Sequence, residues 1–134
     1  MMNSKIRKII GWILSSVVLL LMAASAIDKI SGSAHALDMT RSFGIAPGIY
    51  RLLGLIELAS VILFTIPGTG ILGLLLLSSY LGGAIATHLQ HGQNIWLPVA
   101  IATLVWITAV IRFPELILRY PVASRKKQEP GNGH

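Results

Sequence analysis

A chain of 134 residues that is 54% hydrophobic and 12% charged, with mean hydropathy +0.73, falls well below the roughly 25% charged content of soluble domains, which excludes a water-soluble globule. Its net charge of +6 is unevenly placed and never combined with stacking aromatics, which excludes a nucleic-acid surface. With no cysteine, the chain has no disulfide, no thiolate metal site and no thiol redox step of its own.

Lys5, Arg7 and Lys8 precede the first apolar run, about 9–27. A basic head, an apolar stretch and Ala24-Ser25-Ala26 also resemble a cleavable signal peptide, but the run exceeds the roughly 7–15 residues of a signal core, so a retained span is expected. Asp28 to about Gly48 forms the first loop, which Pro47-Gly48 closes with a turn. Within it Ala36, Met39 and Phe43 recur at i, i+3 and i+7, the pattern of a short interfacial helix; a solvated loop is the alternative. The remaining runs, 49–66, 71–89 and 95–111, are separated only by Pro67-Gly68-Thr69-Gly70 and by the segment around His91-Gly92-Gln93-Asn94.

Each run is close to the roughly 17–25 residues that cross a hydrocarbon core, and the two short connections force spans two to four into antiparallel neighbours. The expected fold is therefore all-α, an integral membrane four-helix bundle with short loops, over residues 1–118. Residues 119–134 are expected to form a basic, disordered cytoplasmic tail. Trp12, Trp96 and Tyr50 fall near span ends, where aromatic belts form, while Trp106 lies deeper. On span three Ser78, Gly82 and Ala86, and beside them Ser79, Gly83 and Thr87, repeat every four residues. Such faces let helices approach closely, here with internal packing expected and a homodimer as the alternative.

Positive charge sets the orientation. Lys5, Arg7, Lys8, Arg112, Arg119, Arg125, Lys126 and Lys127 lie on one side, against Lys29, Arg41 and Arg51 on the other, so both termini are expected to be cytoplasmic in a bacterial-type inner membrane. Arg125-Lys126-Lys127 would contact anionic lipids at that cytoplasmic face.

The candidate site lies at the opposite, outer half. Glu57 is the one charge in the stretch 52–66, and a carboxylate at membrane depth costs roughly 2.5–3.5 kcal/mol or more, so it is rarely left there without a role. Topology brings Asp28, Lys29, Arg51, Tyr80 and His88 into the same half, and Gly54 and Ser60 flank Glu57 with room for a ligand or a neighbouring helix. Plain structural roles compete at each position: Glu57 as an ion-pair partner of Lys29 or Arg51, His88 as a cap on helix carbonyls, and Asp28-Lys29 as a solvated boundary. Glu57, His88 and His91 lack the spacing of a metal motif, and no metal is expected.

Ala26-Ile27-Asp28-Lys29-Ile30, Phe43-Gly44-Ile45-Ala46-Pro47, Leu53-Gly54-Leu55-Ile56-Glu57-Leu58-Ala59 and Tyr80-Leu81-Gly82-Gly83-Ala84-Ile85-Ala86-Thr87-His88-Leu89 together resemble the DoxX-like family of small four-span membrane proteins. The resemblance covers about 9–113 and implies a four-helix membrane bundle with Lys29, Glu57 and His88 at its characteristic polar positions. The family's name derives from a quinone-linked sulfur-oxidising enzyme, and relatives are associated with oxidative-stress complexes. The function expected first is an accessory or ligand-binding subunit of a membrane complex, holding a quinone- or lipid-like ligand near Glu57. A subunit of a quinone-linked oxidoreductase and a small proton-coupled transporter are the alternatives.

Overall fold

The computed structural model describes residues 3–118, and among them every regular element is helical. α1 (Ser4–Ser31) starts where the Asn3 side chain accepts a hydrogen bond from the Lys5 N–H, and it stops at Gly32, whose φ of 65° is open to a residue without Cβ. It is longer than the apolar run 9–27. Lys5, Arg7, Lys8, Asp28 and Lys29, expected to flank the span, are turns of the helix, because Lys and Arg are good helix formers and the caps lie outside them.

α2 (Ala34–Phe43) is capped by Ser33, whose hydroxyl accepts from the Ala36 N–H at 3.0 Å, and ends at Gly44 with φ 65°. The helical alternative for the first loop is the right one, though the buried stripe is Ala36, Thr40 and Phe43, and Met39 is only half-buried. Proline opens α3 (Pro47–Thr65), where its missing N–H costs nothing. A 3₁₀ turn at Pro67–Thr69 leads into α4 (Gly70–Gln90). α5 (Trp96–Arg112) starts where the Asn94 side chain accepts from the Trp96 N–H at 2.9 Å, and a short α6 (Glu115–Leu118), which the sequence pattern did not suggest, follows it.

The four long helices close a ring in the order α1, α3, α4, α5, each packed on the next and α5 back on α1. α1, α3 and the Pro67–Gln90 segment are each long and apolar enough to cross a membrane; α5, with 17 residues, is at the short end of the spanning range of about 17–25. Large apolar side chains point outward, Leu20 at 70% exposure and Leu97 at 71%, the inverse of a soluble protein and the arrangement lipid demands. This is an all-α, multi-pass membrane bundle. Because α1 is one wall of the ring, the signal-peptide alternative, a cut after Ala26, would open it.

Inside the ring Val18 and Met22 of α1 meet Val61 and Phe64 of α3, Leu74, Leu77 and Leu81 of α4, and Val105 and Ala109 of α5. Small residues set the spacing, but not those expected. A Cβ on Gly82 or Gly83 would meet nothing within 4 Å, so the small-residue face of α4 is not packed internally. Period-four spacing defines a face without saying what it faces, and the inward face of α4 is Gly73, Leu74, Leu77 and Leu81. Gly73 is the true close approach: a Cβ there would lie 2.1 Å from the Phe64 backbone nitrogen.

Over the end of the bundle opposite Asn3 lies α2. Phe43 sets its ring edge-on to His88 and His91, with centroids 5.0 and 5.6 Å away. Ser42 accepts a hydrogen bond from the Gln93 amide, and Asp28 holds Ser33 and His35. Both ends of this short helix are thereby tied to the long ones.

Candidate functional site

The buried stripe of α1, Gly11, Ser15, Val18, Met22 and Ala26, continues one turn further to Lys29. The matching stripe of α3 is Tyr50, Gly54, Glu57, Ser60, Val61 and Phe64. The two helices meet at Gly54, where a Cβ would lie 2.8 Å from the Lys29 Cβ and 3.0 Å from the Ala26 carbonyl oxygen. Only glycine allows that approach, and it lays the Lys29 side chain alongside Glu57.

Lys29 Nζ is 3.0 Å from Glu57 Oε2, with side chains 13% and 2% exposed. Tyr80 of α4 donates its hydroxyl to the same Oε2 at 3.1 Å. Lys29 Nζ donates also to Ser25 Oγ, one turn back on its own helix, at 2.6 Å, and lies 5.6 and 5.9 Å from the ring centres of Tyr50 and Tyr80. The ammonium thus has two hydrogen-bond acceptors and two aromatic faces in place of water. Glu57 Oε2 receives both donors, and among the described residues no donor reaches Oε1. A carboxylate so placed spends one oxygen on its two donors and retains the other, able to accept a further hydrogen bond.

Of the six residues singled out above, the structure brings together Lys29, Glu57 and Tyr80 and sends the other three elsewhere. Asp28 turns to the α1–α2 connection, where its carboxylate accepts from Ser33 and pairs with His35 Nδ1 at 2.8 Å. Arg51 is exposed, its guanidinium beside Gly32. His88 Nδ1 lies 2.6 Å from the Ala84 carbonyl oxygen, one turn back, while its ring meets Phe43. With Glu57 committed to Lys29 and both histidines turned to Phe43, the set Glu57, His88 and His91 does not converge, and no other group of metal-ligating side chains does among the described residues.

The space expected at Gly54 and Ser60, on either side of Glu57 along α3, is filled. Gly54 receives α1, and Ser60, 1% exposed, bonds the Ile56 carbonyl oxygen of its own helix at 2.6 Å. Tyr50, expected in an aromatic belt but buried against Lys29, and Ser25, noted only in a cleavage motif, complete the site. Ser25 had a signal, since it stands four residues before Lys29 on the same helix face.

A second polar knot at the far end was hidden because Arg112 read only as an orientation charge. Its guanidinium donates to the Phe64 and Thr65 carbonyl oxygens, at 2.5 and 3.2 Å, and sits over the rings of Phe64 and Phe113. The last carbonyls of α3 have no intrahelical partner and carry the negative end of its dipole, so a cation there is favourable. The basic run Arg125-Lys126-Lys127 lies outside the described residues.

A family model described as the DoxX-like family matches residues 13–110. No curated protein and no solved structure matches the chain.

Proposed function

We propose a role from the premise that the chain belongs to the DoxX-like family of small membrane proteins, as its match over residues 13–110 shows. It acts as an accessory subunit of a membrane complex, in which the Lys29–Glu57–Tyr80 centre presents an unbonded carboxylate oxygen to a hydroxyl-bearing, quinone- or lipid-like ligand. The observation that carries this reading is the uneven use of the carboxylate: Lys29 and Tyr80 both donate to Oε2, and Oε1 takes no hydrogen bond from the described residues. A ligand hydroxyl would be recognised there within an otherwise apolar bundle.

The oxidoreductase-subunit reading needs a second titratable group to exchange protons with Glu57. His88, which would serve that part, is turned to Ala84 and Phe43. That geometry favours the accessory reading over the oxidoreductase one. Both termini are placed in the cytoplasm on the charge distribution alone.

Tyr80→Phe tests the proposal, because it removes one hydroxyl and leaves the ion pair in place. The protein is purified from native membranes, and quinones, lipids and membrane proteins that accompany it are identified by mass spectrometry. The variant should fold and lose at least one component that wild type retains. A folded Tyr80→Phe protein, and a folded Glu57→Gln protein, that both keep every component would overturn the reading.

A further inference from the structure

The end of the bundle that carries Asn3 and Leu118 has a groove of about 640 Å³ between the first turns of α1, the α3–α4 turn at Pro67 and the last turn of α5. We propose that this groove binds the headgroup of an anionic phospholipid. It is separate from the Lys29–Glu57 centre and does not depend on the role assigned there.

Four cations line it: Lys5, Arg7 and Lys8 from α1 and Arg112 from α5. Among the described residues no carboxylate answers them. The ion pairs there are Lys29–Glu57, His35–Asp28 and Arg41–Asp38, none of which involves these side chains. Glu115, on the short helix after α5, forms no ion pair with another described residue. The cations also crowd the start of a helix whose first turn has no acidic residue, where the helix dipole is itself positive. Such a cluster is self-repelling until an anion enters it. Arg112 is fixed in advance by its bonds to the end of α3 and by the rings of Phe64 and Phe113, whereas the three α1 side chains are free to fold over a phosphate.

The groove's other lining selects a lipid over a soluble anion. Trp12, 48% exposed, and Ile111 form its apolar wall. Along α1 the surface continues through Ile9 and Ile13, both more than half exposed, into the lipid-facing belt. A phosphate held by the cations would therefore have its acyl chains laid on a surface already turned to the bilayer, with the tryptophan at headgroup level. The volume is within the roughly 300–1,000 Å³ of small-molecule sites.

The test is native mass spectrometry of the full chain in a neutral detergent, with phosphatidylglycerol, phosphatidylcholine and inorganic phosphate as probes. Wild type should retain phosphatidylglycerol roughly tenfold or more over phosphatidylcholine, since basic residues at the membrane surface attract anionic lipid. The triple variant Lys5→Gln, Arg7→Gln, Lys8→Gln should lose that preference, and the tail variant Arg125→Gln, Lys126→Gln, Lys127→Gln should keep it. Equal retention of the two lipids by wild type overturns the proposal and requires no variant to fold. It is equally overturned by a folded triple variant with undiminished preference, by a tail variant that loses it, or by inorganic phosphate displacing the lipid.

Discussion

Lys29 and Glu57 are each other's only ionic partner among the described residues, and the carboxylate side chain is 2% exposed. Removing one partner strands a buried charge, which costs about 3–5 kcal/mol, whereas replacing both with apolar groups costs far less. Glu57→Gln and Lys29→Met should therefore each lower unfolding stability in detergent by about that amount, and the double variant should lose much less than the sum. Additive losses in the melting curves would mean that the pair is not coupled. Tyr80→Phe removes a single donor to the carboxylate and should cost about 1–2 kcal/mol. Glu57 was legible in the sequence as the lone charge of its span, but its partner was not, since Lys29, Arg51 and His88 all lay in the same half. The choice is rotational. Six residues separate Arg51 from Glu57, which puts it about 120° around the helix and off the buried stripe. Lys29 stays on the stripe of α1, three residues after Ala26. A helical-wheel reading could have excluded Arg51; the depth of α1 against α3 needed the contact at Gly54.

Glycine has opposite consequences on different helices. At Gly54 a Cβ would press on the Lys29 Cβ and the Ala26 carbonyl, and at Gly73 on the backbone of Phe64, neither of which can move without shifting a helix. Gly54→Ala should destabilise by about 1–3 kcal/mol, the usual cost of overpacking, and Gly73→Ala by more, because its contact is 2.1 Å from main chain. Gly82→Ala and Gly83→Ala meet open space and should leave the monomer's melting temperature unchanged or raised, given alanine's helix preference of about 1 kcal/mol. A large loss at Gly82, measured under conditions where the protein is monomeric, would mean that α4 is rotated from the position described. Element type and order were readable from the apolar runs, since 17–28 residues of such composition can only be helices in lipid. Helix rotation was not. The small-xxx-small pattern is equally present on a packed and on an open face, and α4's inward face is marked instead by leucines at 74, 77 and 81. The α1 boundaries escaped for a different reason: hydropathy ends where charge begins, but helix continues to the caps at Asn3 and Gly32.

Four long helices in a closed ring bring Asn3 and the end of α5 to one side and the α4–α5 turn to the other. Geometry thus fixes that the two ends of the described chain share a side, and leaves open which side it is. Charge supplies the expectation. Eight of the 11 lysines and arginines precede the first apolar run or follow the last, and positive residues are retained in the cytoplasm during insertion. Since the chain has no cysteine, Asn3→Cys and Asn94→Cys each introduce a single label site, and both positions are exposed. In intact cells a membrane-impermeant maleimide should modify Asn94→Cys directly and Asn3→Cys only after permeabilisation. Asn3→Cys labelled in intact cells, with Asn94→Cys protected, would invert the protein and leave the ring intact. Both labelled from outside would mean that one of α1, α3 and α4, the three spans between the two positions, does not cross. α5 lies beyond both labels, and its 17 residues rise only about 25 Å against a hydrocarbon core of about 30 Å. That shortfall is tolerable because α5 is packed on α1 and α4 along its length, and because Trp96 at one end and Arg112 at the other suit the headgroup boundary. Lengthening α5 by a turn should therefore keep a label at Ile117→Cys, beyond α5, on the side of Asn3→Cys while disturbing the Arg112 contacts to Phe64 and Thr65, so the expected cost is in stability and not in topology.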